Sequence, residues 1–361
     1  MTQLRIQMVL LKVWILIAIL AGSCKDSPNG PINDGNNDPR KYTWTIDTLK
    51  YPGSFQTLMF DIWASSEKNV YVVGFNDQNK GKMWNFNGDT WSSVPITSSE
   101  GGVIQGAFDL VGIYGFGAND IWAVGGKSTL NPNPPPNFLD SSLIIHYDGS
   151  QWREHPIQRG RSLQAVWGSS PSSVWAVGLA GTTYFYNGVN WEKRTIRDNI
   201  DFNGVIGSSS VDVYATGYKI DTQPIDSIHY YIFRFDGSFW TLRDSLIANT
   251  FPPQHKFGIS GVWALSDAEM FSYGYGIYKK NSTGWTKIFD DGTLFGDMHG
   301  TTPNNIFAVG SDGVYHFNGT DWYQYPQFQV LPYPVIEVWT DGKEVFGLGT
   351  DGFTSFILHG K

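Results

Sequence analysis

Seven copies of one unit of about 46 residues, Asn-Gly or Asp-Gly turns between short apolar runs, and a surplus of Gly and aromatic residues predict an all-β chain. Together they predict a seven-bladed β-propeller of four-stranded antiparallel blades. The chain has 361 residues, including 41 Gly, 15 Trp, 18 Tyr and 23 Phe, but only 16% charged residues and one Cys. Aromatics at 16% give ample apolar surface to bury, which excludes disorder for most of the chain. The single Cys excludes a disulfide scaffold, and a net charge of −8 argues against a nucleic-acid binder.

The repeat is read from its anchors. Trp63, Tyr114, Trp167, Ile206, Trp263 and His299 each lie eleven residues before a glycine (Gly74, Gly125, Gly178, Gly217, Gly274, Gly310), and Trp339 lies ten before Gly349. A small residue follows each anchor, as crowding of seven strands around an axis requires: Ala64, Gly115, Gly168, Gly207, Ala264, Gly300 and Thr340. Eight residues after the anchor stands Tyr71, Trp122, Trp175, Tyr214, Phe271 or Phe307, with Phe346 one place early in the seventh copy. These aromatics are expected to fill the wedge that widens between blades.

Each unit parses into four strands. The third and fourth are joined at Asn87-Gly88, Asp148-Gly149, Asn187-Gly188, Asp236-Gly237 and Asn318-Gly319, each followed three residues after the glycine by Trp. The dipeptides predict type I′ turns, whose two central residues take positive φ. The fifth copy reads Thr283-Gly284-Trp285 and needs a different turn. The seventh copy lacks a fourth strand, and residues Tyr42–Ile46 around Trp44 are expected to supply it and close the ring.

The N-terminus carries Arg5 and Lys12, then an apolar run Val13–Ala21 too short to span a bilayer. It ends in Leu20-Ala21-Gly22-Ser23-Cys24, which resembles the lipobox of bacterial lipoproteins, with Leu one place further from the cysteine than usual. The resemblance implies cleavage before Cys24, diacylation of its sulfur and a membrane anchor. It also implies a Gram-negative cell envelope, as an outer-membrane lipoprotein that is periplasmic or surface-facing. Residues 1–23 then form the signal, 24–40 the lipidated cysteine and a Gly/Pro/Asn/Asp-rich tether, and 41–361 the propeller. Loss of the signal removes Arg5 and Lys12 and leaves a net charge of −10, which disfavours anionic partners.

The frame Val166-Trp-Gly-Ser-Ser-Pro-Ser-Ser-Val-Trp-Ala-Val-Gly178, followed by Tyr186-Asn-Gly-Val-Asn-Trp191, resembles secreted bacterial propellers of the BNR/sialidase-like and Ycf48-like repeat class. The resemblance covers residues 41–361 and implies fold, not activity. The nearest stretch to a sialidase Asp-box, Asn85–Trp91, lacks the Ser and Asp of that motif, so no catalytic residue carries over. No zinc-protease, nucleophile-elbow, phosphate-loop or EF-hand motif is present. His146 and His316 share one repeat slot, which points to architecture.

Two groups of candidates remain. Two residues before the anchors stand Asp61, Gly112, Ala165, Gly204, Gly261, Asp297 and Glu337. Asp61, Asp297 and Glu337 belong to three consecutive blades, so they and the anchor-replacing His299 are candidates for the channel mouth. They would bind Ca²⁺ or a ligand there, or serve as backbone hydrogen-bond acceptors. No other cofactor is expected. The insertions (126–142, 218–227, 92–107, 241–258 and 323–334) all emerge on one face, and the opposite face has only tight turns. They carry Phe138, Tyr218, Phe251, His255, Tyr323, Tyr325 and Tyr333, a set suited to a neutral glycan or a protein partner. The expectation is a monomeric, lipid-anchored binding or scaffold module. The alternative is a carbohydrate-active propeller enzyme using the three carboxylates as acid and base.

Overall fold

The computed structural model describes residues 38–156, 160–221, 227–248, 256–266, 269–329 and 331–361; the expected signal, Cys24 and nearly all of the tether lie outside the described residues. Pro39–Lys361 form one compact unit. Blades 1, 2, 3, 4 and 7 are separate four-stranded antiparallel sheets. Blades 5 and 6 are joined through one strand, Gly284–Thr302, whose residues 284–294 pair with Glu269–Asn281 and whose residues 295–302 pair with Asn305–Gly310. The inner strands lie side by side in chain order: Thr57–Ser66, Ala107–Gly117, Leu163–Ser170, Asp201–Ser209, Gly261–Ser266, the end of Gly284–Thr302, and Val335–Thr340. The last also neighbours the first, so seven blades close a ring. Trp44–Leu49 completes blade 7 as its outer strand, antiparallel to Ser355–Gly360 with Trp44 opposite Gly360.

The wedge aromatics pack where the repeat places them. The second-strand ring of one blade meets the outer-strand Trp of the next: Tyr71 and Trp152 at 6.4 Å, Trp122 and Trp191 at 5.3 Å, Trp175 and Trp240 at 5.1 Å between centroids. At the closing joints Phe307 meets Tyr42 and Phe346 meets Phe86. In blades 1, 2, 3, 4 and 6 the outer Trp also packs on the aromatic directly across the hairpin, as Tyr186 does on Trp191 at 5.4 Å. The indole N–H groups of Trp122, Trp175, Trp191 and Trp240 have no hydrogen-bond partner, so these side chains serve through ring area.

His146 and His316 are architectural, and His359 fills the same slot. Each is stacked or tilted on its wedge aromatic: His146 on Trp122 at 3.9 Å, His359 on Phe346 at 4.1 Å, His316 on Phe307 at 4.9 Å. Each hydrogen-bonds a residue two before that aromatic: Asp120, Glu344 and Asn305. Arg234 over Tyr214, bonded to Asp212, and Lys279 over Phe271, paired with Glu269, repeat the arrangement with Arg and Lys in place of His.

The repeat glycines are required by close approach. A Cβ on Gly125 would lie 1.9 Å from the Asp109 carbonyl oxygen, and on Gly178 2.2 Å from that of Ser162. The inner strand passes directly over these positions, leaving no room for a side chain.

Two expectations need correction. The Asn-Gly and Asp-Gly turns are not type I′: only the glycine takes positive φ, 87–97° across Gly88, Gly149, Gly188, Gly237 and Gly319. The loop holds four residues, because Phe86 pairs with Trp91, and the Asn87 side chain accepts bonds from the Asp89 and Thr90 amides. That side-chain turn explains Asn or Asp there as well as a I′ turn would. In the fifth copy Asn281 plays this part toward Thr283, and Gly284 takes φ 135°. Second, much of the expected loop is strand. Asp120–Leu130 and Phe138–Tyr147 pair out to Leu130 opposite Phe138, and Asp212–Asp221 and Ser227–Phe235 out to Asp221 opposite Ser227. The outer strand Trp240–Ala248 follows the same extension. Alternating residues such as Ile228, Tyr230 and Ile232 keep the hairpins regular beyond the repeat's usual length.

Replacing Trp175 by Ala should destabilise the fold by about 3–5 kcal/mol, whereas Phe should cost well under half of that. Gly125→Ala should cost about 2 kcal/mol or more through overpacking. Thermal or denaturant unfolding of the three variants checks the ranking.

Candidate functional site

Each inner strand is the axial edge of its sheet, so its outward amides lack a ladder partner. In six inner strands the register shifts immediately before the position two residues ahead of the anchor: Asp61, Gly112, Ala165, Gly204, Asp297 and Glu337. Such a bulge re-aims the side chain that follows it. These positions lie toward the strand starts, on the face where the insertions emerge.

Two of the three carboxylates bridge neighbouring blades. Asp61 accepts from the Ile62 amide and, in blade 2, from the Ile113 amide, both at 2.8 Å. Asp297 accepts from the Val338 amide of blade 7 at 3.0 Å and from the Tyr273 hydroxyl of blade 5 at 3.0 Å. It also hydrogen-bonds Glu337. Burial holds the Asp297 carboxyl above the usual carboxylate range, against the pull of the Val338 and Met298 amides, Tyr273 and Glu337. His299 accepts from the Thr340 amide through Nδ1 at 3.2 Å, which leaves its proton on Nε2. Burial lowers its pKa to about 4, so the ring is neutral at pH 7.

Tyr273 was not expected here. It stands directly before Gly274, where other blades carry Val73, Val124, Val177, Thr216, Val309 and Leu348. It pairs across the blade with Gly261, and a Cβ on Gly261 would lie 2.4 Å from the Tyr273 hydroxyl. The missing side chain of one strand thus admits the phenol of the next. Burial, then the charges of Asp297, Glu337 and Asp61, raise its pKa well above the ordinary value. All three carboxylates thus act on the Tyr273 hydroxyl. A Tyr in a slot otherwise held by Val, Thr or Leu was the available signal.

Asp297 and Glu337 are hydrogen-bonded to each other, not held about 5–10 Å apart as the acid–base pair of a hydrolase is. Both Asp61 oxygens are engaged by amides. Among the described residues no group of three or more His, Cys, Asp or Glu side chains is arranged to hold a metal ion. Asp297 thus ties blades 5, 6 and 7 together, and Asp61 ties blade 1 to blade 2.

The insertion-face candidates are scattered. Phe138 is exposed at the tip of the blade 2 hairpin, opposite the exposed Leu130, and Tyr333 is exposed between blades 6 and 7. Tyr218 is half-buried opposite Tyr230, whose pKa is pushed up to about 12 by burial and then by Tyr275 and Tyr218. Phe251 and His255 lie outside the described residues. Tyr323 is half-buried under the Arg40 guanidinium. Tyr325 is corrected from surface to core: it is 1% exposed, packs edge-on against Trp44 and donates to the Pro39 carbonyl at 2.7 Å. Sequence reasoning missed Phe55 and Phe353, whose exposed rings meet at 5.3 Å where blades 7 and 1 join. Neither occupies a repeat slot, which was the signal for them.

His299 and Asp297 act oppositely with pH. The unfolded chain takes up the histidine proton near pH 6.5 and the folded chain only near 4, so this group removes stability as pH falls through that window. His299→Gln should flatten the decline in melting temperature between pH 6.5 and 4. For Asp297 the folded state holds the proton more tightly, so its contribution is largest at low pH and is lost as pH rises above 3.8 through the folded value. Asp297→Asn should therefore be no less stable at pH 7 than the parent.

No family profile and no curated protein matches the chain. Among solved structures it is similar to "YCF48 bound to D1 peptide", with TM-score 0.60 and 15% identity over 93% of this chain and 99% of that one. Ycf48 from Cyanidioschyzon merolae gives TM-score 0.56 and 16% identity over 87% and 98%. The WD40 β-propeller domain of Doa1 gives 0.56 and 12% over 88% and 97%. At such identities the likeness establishes the fold, which is that of a β-propeller.

Proposed function

We propose that this chain is a lipid-anchored module of a Gram-negative cell envelope that holds a protein partner on its insertion face. The observation that carries the reading is the Phe55–Phe353 pair, 67% and 49% exposed. Two large rings in water at a position the repeat does not demand suit a partner's surface. Their backbones are fixed in advance. The Thr57 amide donates to the Phe353 carbonyl at 2.8 Å, and Gln56 Nε2 to the Gly352 carbonyl at 2.9 Å. Asp77 accepts from the Phe55 and Gln56 amides, and Asp351 from those of Phe353 and Thr354. Little ordering cost is left for binding. One structural neighbour is described with a bound peptide, which agrees with a protein ligand. The signal-like N-terminus and Cys24 support export and anchoring to the outer membrane by two acyl chains.

Photo-crosslinking from benzoylphenylalanine at 55 or 353 should give one discrete protein adduct in cells, and none from 239 on the opposite face. A polysaccharide adduct would replace the protein reading by a glycan one, and no adduct at 55 or 353 would overturn both. Cys24→Ser should abolish palmitate labelling and move the chain from the membrane to the soluble fraction.

A further inference from the structure

We propose that the tight-turn face of the disc lies against a lipid bilayer, with Val189, Val211 and Phe239 entering its surface. This rests on the anchoring reading above and adds an orientation to it. The chain enters the domain on that face: Trp44 begins its strand opposite Gly360, at the end away from the turn that carries Phe353. Just before it, Arg40 bonds the Asp321 carboxylate at 2.9 Å, in the third-to-fourth strand turn of blade 6. The tether therefore leaves from the tight-turn face beside blades 6 and 7.

Val189, Val211 and Phe239 are 76%, 53% and 73% exposed. All three sit at turn tips: Val189 between the third and fourth strands of blade 3, Phe239 in the same turn of blade 4, and Val211 between that blade's first and second strands. The repeat does not require them. Val189 stands where other turns carry Asp89, Ser150, Ser238 or Thr320, and Phe239 where they carry Thr90, Gln151, Asn190 or Asp321. The two blade 4 tips adjoin, since a Cβ on Gly237 would lie 2.7 Å from Val211.

In a ring of seven, blades 3 and 4 lie across the axis from blade 7. Tether and apolar tips thus form two supports at opposite sides of one face. The residues from Lys25 to Asp38 can span up to about 50 Å, so the tether permits the disc to lie flat. Three side chains would bind a bilayer weakly on their own. Once the acyl chains are inserted, the second contact is intramolecular, at an effective concentration in the millimolar range. The domain's acidity and Asp236 beside the tip select a zwitterionic surface over an anionic one. The face bearing Phe55 and Phe353 is then displayed outward.

The test uses the full lipidated chain on phosphatidylcholine vesicles, with an environment-sensitive fluorophore on Ser238→Cys or, on the opposite face, Gln78→Cys. The label at 238 should gain about twofold in emission and be quenched by doxyl lipid, while the label at 78 stays as in water. Val189→Ser, Val211→Ser and Phe239→Ser together should abolish the gain while flotation persists. A chain that floats with the label at 238 in water overturns this orientation and leaves the anchor standing. A chain that does not float overturns both. Equal or stronger signals on phosphatidylglycerol vesicles would overturn the zwitterionic preference.

Discussion

The structure depends on the ring that each blade lends to the next. A four-stranded sheet this short has little core of its own, and its apolar face needs a neighbour. The second-strand aromatic of one blade against the outer-strand Trp of the following one supplies that neighbour around the circle, with Tyr42 and Phe86 serving at the closing joints. Because the rings act through area and not through their N–H groups, Tyr, Phe and Trp exchange freely at the wedge. The residue across from the ring varies as freely, being His in blades 2, 6 and 7, Arg in blade 4, Lys in blade 5, Asn85 in blade 1 and Phe185 in blade 3.

At the axis the opposite problem arises. There the strands are too close for large side chains, and their outer amides have no sheet partner. Blades 2 and 3 meet this with Gly112 and Ala165, and blade 4 bonds across to blade 5 through Asn203 and the Ser260 carbonyl. Blades 6 and 1 answer with Asp297, His299 and Asp61, each taking an amide of the next inner strand. Asymmetry at the channel mouth is thus first a matter of how particular joints are tied. The side chains free to meet another molecule are those that the repeat did not need.

How far the sequence could be read follows from the same division. Spacing set by the wedge and by the glycine close approach is strict, so the blades, the closing strand and the anchors were legible from residues alone. Features that depend on the third dimension were not. Asn87-Gly88 fits a two-residue turn as well as the four-residue turn observed, because both use the same two side-chain properties. Tyr325 reads as a loop aromatic until Trp44, 281 residues upstream, is folded beside it. Tyr273 enters the axis only because Gly261 on the paired strand is empty, a complementarity visible once the register is known. The extended hairpins of blades 2 and 4 read as loops because they exceed the repeat, although their alternation is present in the sequence.

The pairing of Trp44–Leu49 with Ser355–Gly360 also sets an order in time. The Thr43 and Lys361 backbones exchange two hydrogen bonds, at 2.9 and 3.0 Å, across a separation of 318 residues. Within the domain the strand that closes the ring is synthesised before the other strands and its partner after them. Until residue 360 is made, blade 7 cannot form, and blades 6 and 1 each lack a wall. For that interval the chain presents unpaired strand edges to its surroundings, the condition in which β-rich proteins aggregate.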